Sequence, residues 1–276
     1  MNFHTDEWIM DKVKQHYDDA VAIYGDARVV GIFYQGSGNY GLDYEGSDVD
    51  TKCIIVPTLD ELASGSQPVS ITHIRENEEH IDFKDIRIML QVFAKHNINF
   101  LEILYTPYYY VNPLYETEIK ELINARDKIV ESAPISVTKS IYGIASEKFH
   151  ALEHPYPSRI DWISKFGYDP KQLHHLMRLR EFMSRFTHDI PFGECLISEI
   201  PDDLVKVKIG CYDLESARDI AKKSMDAITT LRNDFYEITE SDDERQLNAV
   251  DSILNKIKCK IIKKGIMINL INELNQ

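Results

Sequence analysis

The sequence predicts an α+β protein with a mixed β-sheet flanked by helices, followed by an all-helical region. Short apolar runs typical of buried strands occur in the first part of the chain, at 29–34 and 53–56. From Pro113 onward the apolar residues recur mainly at helical spacing. We therefore predict two domains: residues 1–112 form a core that contains the sheet, and residues 113–276 form a helical domain.

Local signals place the individual elements along the chain. Apolar residues at helical spacing between Asp6 and Tyr24, followed by Gly25, predict an amphipathic helix with a glycine cap. Thr58 and Glu61 have the spacing of a capping box. The alternation over 69–74 predicts a half-buried strand. Further helices are predicted at 85–95, 113–126, 134–152, 170–187, 213–238 and 244–264. Gly265 is predicted to end the last of these, and a short helix to follow it to the C-terminus.

Composition and charge limit the classes of function. The chain has 276 residues, of which 43% are hydrophobic and 28% charged, as in ordinary globular proteins. Its net charge of −14 disfavours extended contact with duplex DNA, because such binding relies on a basic surface. The four cysteines are far apart and form no metal-binding pair, which indicates a reduced, cytoplasmic protein. Neither a signal peptide nor a membrane-spanning stretch is predicted.

The segment between the two apolar runs combines the features of a phosphate-binding turn and a metal site. Gly36 and Ser37 directly follow the first strand, and such a turn offers unpaired backbone N–H groups to a phosphate. Asp48 and Asp50 open the second strand, where side chains at i and i+2 share one face. Mg²⁺ prefers oxygen ligands and is commonly held by carboxylates together with substrate phosphates. The two features together predict phosphoryl or nucleotidyl transfer.

A further carboxylate falls on the polar face of a later predicted strand. Asp82 alternates with apolar neighbours, so it would complete a three-carboxylate site if its strand lies beside the strand of the aspartate pair. Taken alone, the pattern also fits a solvated edge strand. Glu79 and Asp85 are rivals, but Glu79 falls on the other face and Asp85 is placed to cap the next helix.

The helix predicted at 170–187 carries three basic side chains on one stripe. Asp169 is placed to cap this helix and Pro170 occupies its first position. Lys171, His175 and Arg178 follow at i, i+4 and i+7. Such a stripe is either a solvated helix face or a set of cations that contacts a triphosphate.

The motifs resemble the nucleotidyltransferase superfamily, which includes DNA polymerase β, CCA-adding enzymes and antibiotic nucleotidyltransferases. Its hallmark is a Gly-Ser turn before Asp-x-Asp, with a third carboxylate on a later strand, and Gly36-Ser37, Asp48-x-Asp50 and Asp82 fit that pattern. The chain is also similar to a branch of the superfamily that is widespread in bacteria and phages. The positions that match this branch are Tyr40-Gly41, Ser47, Asp82, Asn97, Glu102-Ile103-Leu104, Tyr168, Lys171, His175 and Arg178-Leu179.

The resemblance implies that residues 1–112 are a nucleotidyltransferase catalytic core and that the helical domain at 113–276 covers its cleft. It also implies two groups of site residues. The catalytic, metal-binding group is Asp48, Asp50 and Asp82, with Mg²⁺ or alternatively Mn²⁺ as the cofactor. The group that contacts the nucleoside triphosphate substrate is Gly36, Ser37, Tyr40, Ser47, Lys171, His175 and Arg178.

The predicted reaction moves a nucleoside monophosphate from a triphosphate to an acceptor hydroxyl and releases pyrophosphate. The acceptor is predicted to be an RNA end, such as that of a tRNA, with a protein or a small molecule as the alternative. A lysine run from Lys256 to Lys264 is either a solvated helix face or a contact for such an anionic partner. Two rival functions are a non-catalytic nucleotide-binding or regulatory protein on the same fold, and a metal-dependent phosphohydrolase. The second rival commonly uses histidine ligands, which do not cluster with the aspartate pair here.

Overall fold

A computed structural model of the chain describes residues 3–239 and 241–274. A five-stranded mixed sheet has the order β3–β4–β2–β1–β5. The strands are β1 (Val29–Gln35), β2 (Asp50–Ile55), β3 (Ser70–Ile74), β4 (His80–Asp85) and β5 (Tyr109–Val111). Strands β2 and β4 run parallel, and the other neighbouring pairs are antiparallel. Together with the helices below, this sheet confirms the predicted α+β class.

Helices precede, interrupt and follow the sheet. The helices up to residue 131 are α1 (Asp6–Tyr24), α2 (Leu59–Ala63), α3 (Ile86–Ala94), α4 (Ile98–Leu101), α5 (Glu116–Asn124) and α6 (Arg126–Glu131). Those that follow are α7 (Pro134–Ala151), α8 (Ile160–Phe166), α9 (Pro170–Phe186), α10 (Phe192–Leu196), α11 (Pro201–Lys208), α12 (Leu214–Ile238) and α13 (Glu244–Leu274). Among the described helices, none combines the length and the apolar composition of a membrane-spanning segment.

The contacts divide the described chain into two compact units. One, the sheet unit, contains residues 3–39, 45–133 and 243–274. The other, the helical unit, contains residues 40–44 together with those described between 134 and 242. The boundary predicted near residue 112 coincides with the end of the last strand, whereas α5, α6 and α13 belong to the sheet unit.

Each unit has its own core. In the sheet unit, α1 lies against the sheet, and its buried side chains Ile9, Val13 and Tyr17 join the same apolar cluster as Ile32 and Phe83. In the helical unit, α9 packs against α7, α11 and α12. Helix α9 can do so because its apolar residues occupy most of its circumference.

Several local signals act as the sequence predicts. Helix α1 spans the predicted residues, and Gly25 follows it with a φ of 82°, a conformation that favours glycine. Thr58 and Glu61 form the complete capping box at α2. Asp85 caps α3 by accepting a hydrogen bond from the backbone N–H of Arg87.

Four predictions about elements are wrong. Strand β2 begins at Asp50, so Asp48 precedes the strand instead of lying on it. All five residues of β3 are exposed, and β3 is an edge strand that pairs with β4. The single helix predicted at 113–126 is a short 3-10 turn followed by α5 and α6. Gly265 does not end the last helix, which continues to Leu274.

Candidate active site

The turn after β1 is built on a buried tyrosine ring. A Cβ atom at Gly36 would lie 2.5 Å from the Tyr34 Oη atom, and one at Gly38 would lie 3.0 Å from it. The backbone N–H of Gly38 donates a hydrogen bond of 3.1 Å to that same oxygen. Glycine is therefore required at Gly36 by the close approach of the ring, while the Gly38 amide is held against it. Sequence reasoning identified Gly36 but missed Tyr34.

A second set of hydrogen bonds fixes the turn from the side of β5. Asn39 donates to the backbone carbonyl of Tyr34 at 3.0 Å and accepts from the Thr106 hydroxyl at 2.6 Å. The same Thr106 oxygen accepts the N–H of Tyr108 at 3.1 Å. Asn39 and Thr106 are functional candidates that the sequence analysis did not select, because nothing local links residues so far apart in the chain.

The two ends of the loop that follows the turn are joined by their serines. The hydroxyl oxygens of Ser37 and Ser47 lie 2.9 Å apart, at hydrogen-bond distance. Because Ser47 immediately precedes Asp48, this bond brings the predicted phosphate-binding turn next to the start of the predicted metal site. Ser37 and Ser47 are thus placed together by the fold.

The aspartate pair lies at the exposed start of β2. Asp48 is exposed, Val49 is buried and Asp50 is half-exposed. The alternating burial typical of a strand therefore starts at Asp48, two residues before β2 begins. Among the described residues, no hydrogen bond or ion pair is observed for the Asp48 carboxylate. Asp50 accepts the backbone N–H of His80 at 3.1 Å, which ties it to the start of β4. Both carboxylates can therefore be reached from solvent.

Asp82 lies on the strand next to the aspartate pair, as predicted, but opposite Lys52. The parallel register of β2 and β4 pairs Lys52 with Asp82. The Lys52 Nζ atom is 3.2 Å from Asp82 Oδ2, and the Lys84 Nζ atom is 2.8 Å from Asp82 Oδ1. Within the described ranges, no group of three or more His, Cys, Asp or Glu side chains is arranged to hold a metal ion. The three-carboxylate metal set therefore stays a prediction.

The two rival carboxylates have other partners. Glu79 is buried against α1, where it contacts His16 at 3.0 Å and Lys12 at 3.0 Å. Although burial opposes its ionisation, hydrogen bonds from these side chains lower the pKa of Glu79 to about 2. Asp85 caps α3 and forms an ion pair of 2.6 Å with Arg87. Of the three candidates, Asp82 is the carboxylate that shares the face of Asp50.

In the helical unit, two residues predicted to contact the nucleotide touch each other. The Arg178 guanidinium lies over the Tyr40 ring, and its central carbon atom, Cζ, is 4.1 Å from the centre of that ring. Arg178 is buried rather than solvated, and its Nε atom makes no hydrogen bond to any described residue. A buried donor of this kind retains capacity for an anionic ligand.

The basic stripe on α9 carries fewer charges than predicted. Burial lowers the pKa of His174 to about 3 and that of His175 well below its usual value, and neighbouring cations act in the same direction. Both imidazoles are therefore neutral near pH 7, so His175 adds a hydrogen-bonding group but no charge. Lys171 is exposed at the first turn, after the cap that Asp169 provides as predicted.

A comparison with protein families identifies the chain. Residues 8–179 match the family model described as "RlaP: RNA repair pathway DNA polymerase beta family". The chain belongs to this family. The matched part contains every predicted site residue of both groups, from Gly36 to Arg178. Membership of the RlaP family confirms the suspected relation to the nucleotidyltransferase superfamily.

Other comparisons add little to the RlaP assignment. The structure is similar to that of a nucleotidyltransferase-like protein from Exiguobacterium sibiricum 255-15, at 13% identity over 93% of this chain and 92% of that chain, with a TM-score of 0.30. A score this low supports no inference about the site. No curated protein matches the chain.

Proposed function

We propose that the chain is a metal-dependent nucleotidyltransferase that moves a nucleoside monophosphate from a nucleoside triphosphate to an acceptor hydroxyl. The observation that carries this proposal is the hydrogen bond between Ser37 and Ser47, which joins the turn after β1 to the start of the aspartate pair. A phosphate held by the turn would therefore lie close to the carboxylates that hold a metal ion. Membership of a DNA polymerase β family supports the same chemistry.

The donor set at the start of β2 fits a hard divalent cation. Asp48 and Asp50 supply two solvent-accessible carboxylates, and Mg²⁺ or Mn²⁺ prefers oxygen ligands of this kind. Bound there, such an ion would neutralise phosphate charge and lower the pKa of the acceptor hydroxyl. These two residues are the proposed ligands.

The protein side chains and backbone would then orient the reactants. The backbone N–H groups at Gly36 and Ser37 in the sheet unit would bind the triphosphate. The acceptor oxygen attacks the α-phosphorus, the bond from that phosphorus to the β-phosphate oxygen breaks, and pyrophosphate leaves with the electron pair. The hydroxyl proton passes to Asp82, which acts as the general base.

We propose an RNA end as the acceptor. The description of the family as part of an RNA repair pathway supports RNA over a protein or a small molecule. The net charge of −14 argues for contact with a short terminal segment rather than a long duplex, because duplex binding gains most of its affinity from phosphate neutralisation.

The test is transfer of label from each α-³²P nucleoside triphosphate, with Mg²⁺, to total RNA or to total protein. We expect the wild-type chain to label RNA, and we expect Asp48→Asn and Asp50→Asn to abolish labelling because each removes a metal ligand. Asp11→Asn is the matched control, since Asp11 is an exposed aspartate on α1. Circular dichroism would verify that all variants are folded.

Three results would contradict the proposal. Activity of both aspartate variants within about tenfold of wild type, or roughly 1.4 kcal/mol of barrier, would reject the metal ligands. Label found on protein or a small molecule alone would reject the RNA acceptor. Nucleotide binding without label transfer to any acceptor would instead indicate a non-catalytic nucleotide-binding protein.

A further inference from the structure

Both carboxylate oxygens of Asp82 already have cationic partners. Lys52 contacts Oδ2 at 3.2 Å and Lys84 contacts Oδ1 at 2.8 Å. The Thr72 hydroxyl donates a longer hydrogen bond of 3.3 Å to Oδ1. A metal ion that used Asp82 as a ligand would have to share a carboxylate oxygen with at least one of these lysines and would lie close to its positive charge.

Lys52 is more deeply buried than Lys84. It is only 5% exposed, and its Nζ atom lies 4.3 Å from the centre of the Phe100 ring. A buried ammonium group without a counterion is strongly unfavourable, so Lys52 requires a carboxylate partner. Asp82 is that partner, since the β2–β4 register places the two residues directly opposite each other.

The position of Lys52 also brings a positive charge to the predicted metal site. Asp50 and Lys52 are two residues apart on β2, so their side chains share one face at a spacing of about 6.6 Å along the strand. A fixed cation at this distance disfavours a second divalent ion beside it. The same cation compensates part of the negative charge of Asp50 and Asp82.

We propose that one divalent ion is held by Asp48 and Asp50, and that the Lys52 ammonium group takes the place of a second cation by pairing with Asp82. Lys52 is then a positioning residue: it orients the Asp82 carboxylate and keeps it out of the metal coordination sphere. This inference rests on the proposed nucleotidyl transfer, in which Asp82 must remain available to accept a proton.

The experiment measures Mn²⁺ binding to the full chain by electron paramagnetic resonance, without nucleotide. We expect one Mn²⁺ per wild-type chain, and binding weaker by about twentyfold or more in Asp50→Asn, because a direct ligand is lost. Asp82→Asn should weaken binding by no more than about threefold, which is the effect of a nearby charge. Lys52→Met should tighten Mn²⁺ binding by about fivefold, because it removes a nearby positive charge. The matched control Lys84→Met should tighten it less, because Lys84 pairs with Ile54 and so lies two residues further along the sheet from Asp50.

Removing one member of a buried ion pair can impair folding, so the double variant Lys52→Met/Asp82→Asn, which removes both members of the Lys52–Asp82 pair, is measured as well. It should still bind one Mn²⁺. Two Mn²⁺ per wild-type chain, or an effect of Asp82→Asn as large as that of Asp50→Asn, would overturn the inference while leaving nucleotidyl transfer intact. Weaker Mn²⁺ binding in Lys52→Met would overturn it too. A wild-type chain that binds no Mn²⁺ but still transfers label would overturn both the inference and the proposed metal ligands.

Discussion

Replacing Gly265 by alanine tests whether packing or helix propensity governs the middle of α13. In an exposed helix, glycine to alanine stabilises by about 1 kcal/mol. At Gly265, however, an added Cβ would lie 2.7 Å from Val56 Cγ1 and 2.9 Å from Tyr115 Oη. Both distances are far shorter than ordinary van der Waals contacts. Helix α13 can therefore lie this close to Val56 and Tyr115 only because residue 265 has no side chain.

The size of the effect follows from those two neighbours. Val56 and Tyr115 are fully buried, and Tyr115 donates a hydrogen bond of 2.5 Å to the carbonyl of Ala27. Overpacking of such a site costs about 1–3 kcal/mol, and displacing the tyrosine would weaken a hydrogen bond worth about 1 kcal/mol. After subtracting the gain of about 1 kcal/mol in helix propensity, Gly265→Ala should destabilise the protein by about 1–3 kcal/mol.

The assay is urea unfolding followed by circular dichroism, with Gly143→Ala as the matched control. Gly143 lies inside α7, and nothing would come within 4 Å of its added Cβ. The control should therefore stabilise the protein by about 0.5–1 kcal/mol. In a chain of this size, 1 kcal/mol corresponds to a shift of roughly 2–4 °C in melting temperature, so the two variants should move it in opposite directions.

Stabilisation of Gly265→Ala to the same extent as Gly143→Ala would refute the packing argument. A second comparison identifies the atoms responsible. In a Val56→Ala background the closest contact is removed, so the cost of Gly265→Ala should fall. An unchanged cost in that background would show that the contact with Val56 is not its origin.

Two further predictions concern buried charges in the sheet unit. Lys264→Met should lower the free energy of unfolding in urea by about 1–2 kcal/mol, because it leaves the buried Glu118 without its 2.7 Å partner. The control Lys260→Met removes an exposed pair with Glu121 and should lower it by at most about 0.5 kcal/mol. Equal losses in the two variants would contradict this prediction. Because the pKa of Glu79 is lowered to about 2, its contribution of about 3 kcal/mol should be present above its unfolded pKa near 4.5 and lost as the pH falls toward 2. Glu79→Gln should therefore remove the loss of stability between about pH 4.5 and pH 2. If this variant kept the wild-type dependence of unfolding on acid pH, the proposed contribution of Glu79 would be excluded.

The sequence by itself determined the features that depend on neighbouring residues. The cap at Gly25, the capping box of Thr58 and Glu61, and the cap at Asp85 each involve groups within a few residues, so their spacing is sufficient to predict them. The alternation around Asp82 likewise identified its strand and its face. The family relation was also visible, because its motifs are short segments of sequence.

Only the tertiary structure decided which distant side chains meet. Spacing cannot show that the ring of Tyr34 lies under the glycine turn or that Gly265 packs against Val56 instead of ending a helix. The pairing of Lys52 with Asp82 depends on the parallel register of β2 and β4, which no local pattern encodes. Long-range contacts follow from how whole elements pack, and that packing is a property of all their side chains together.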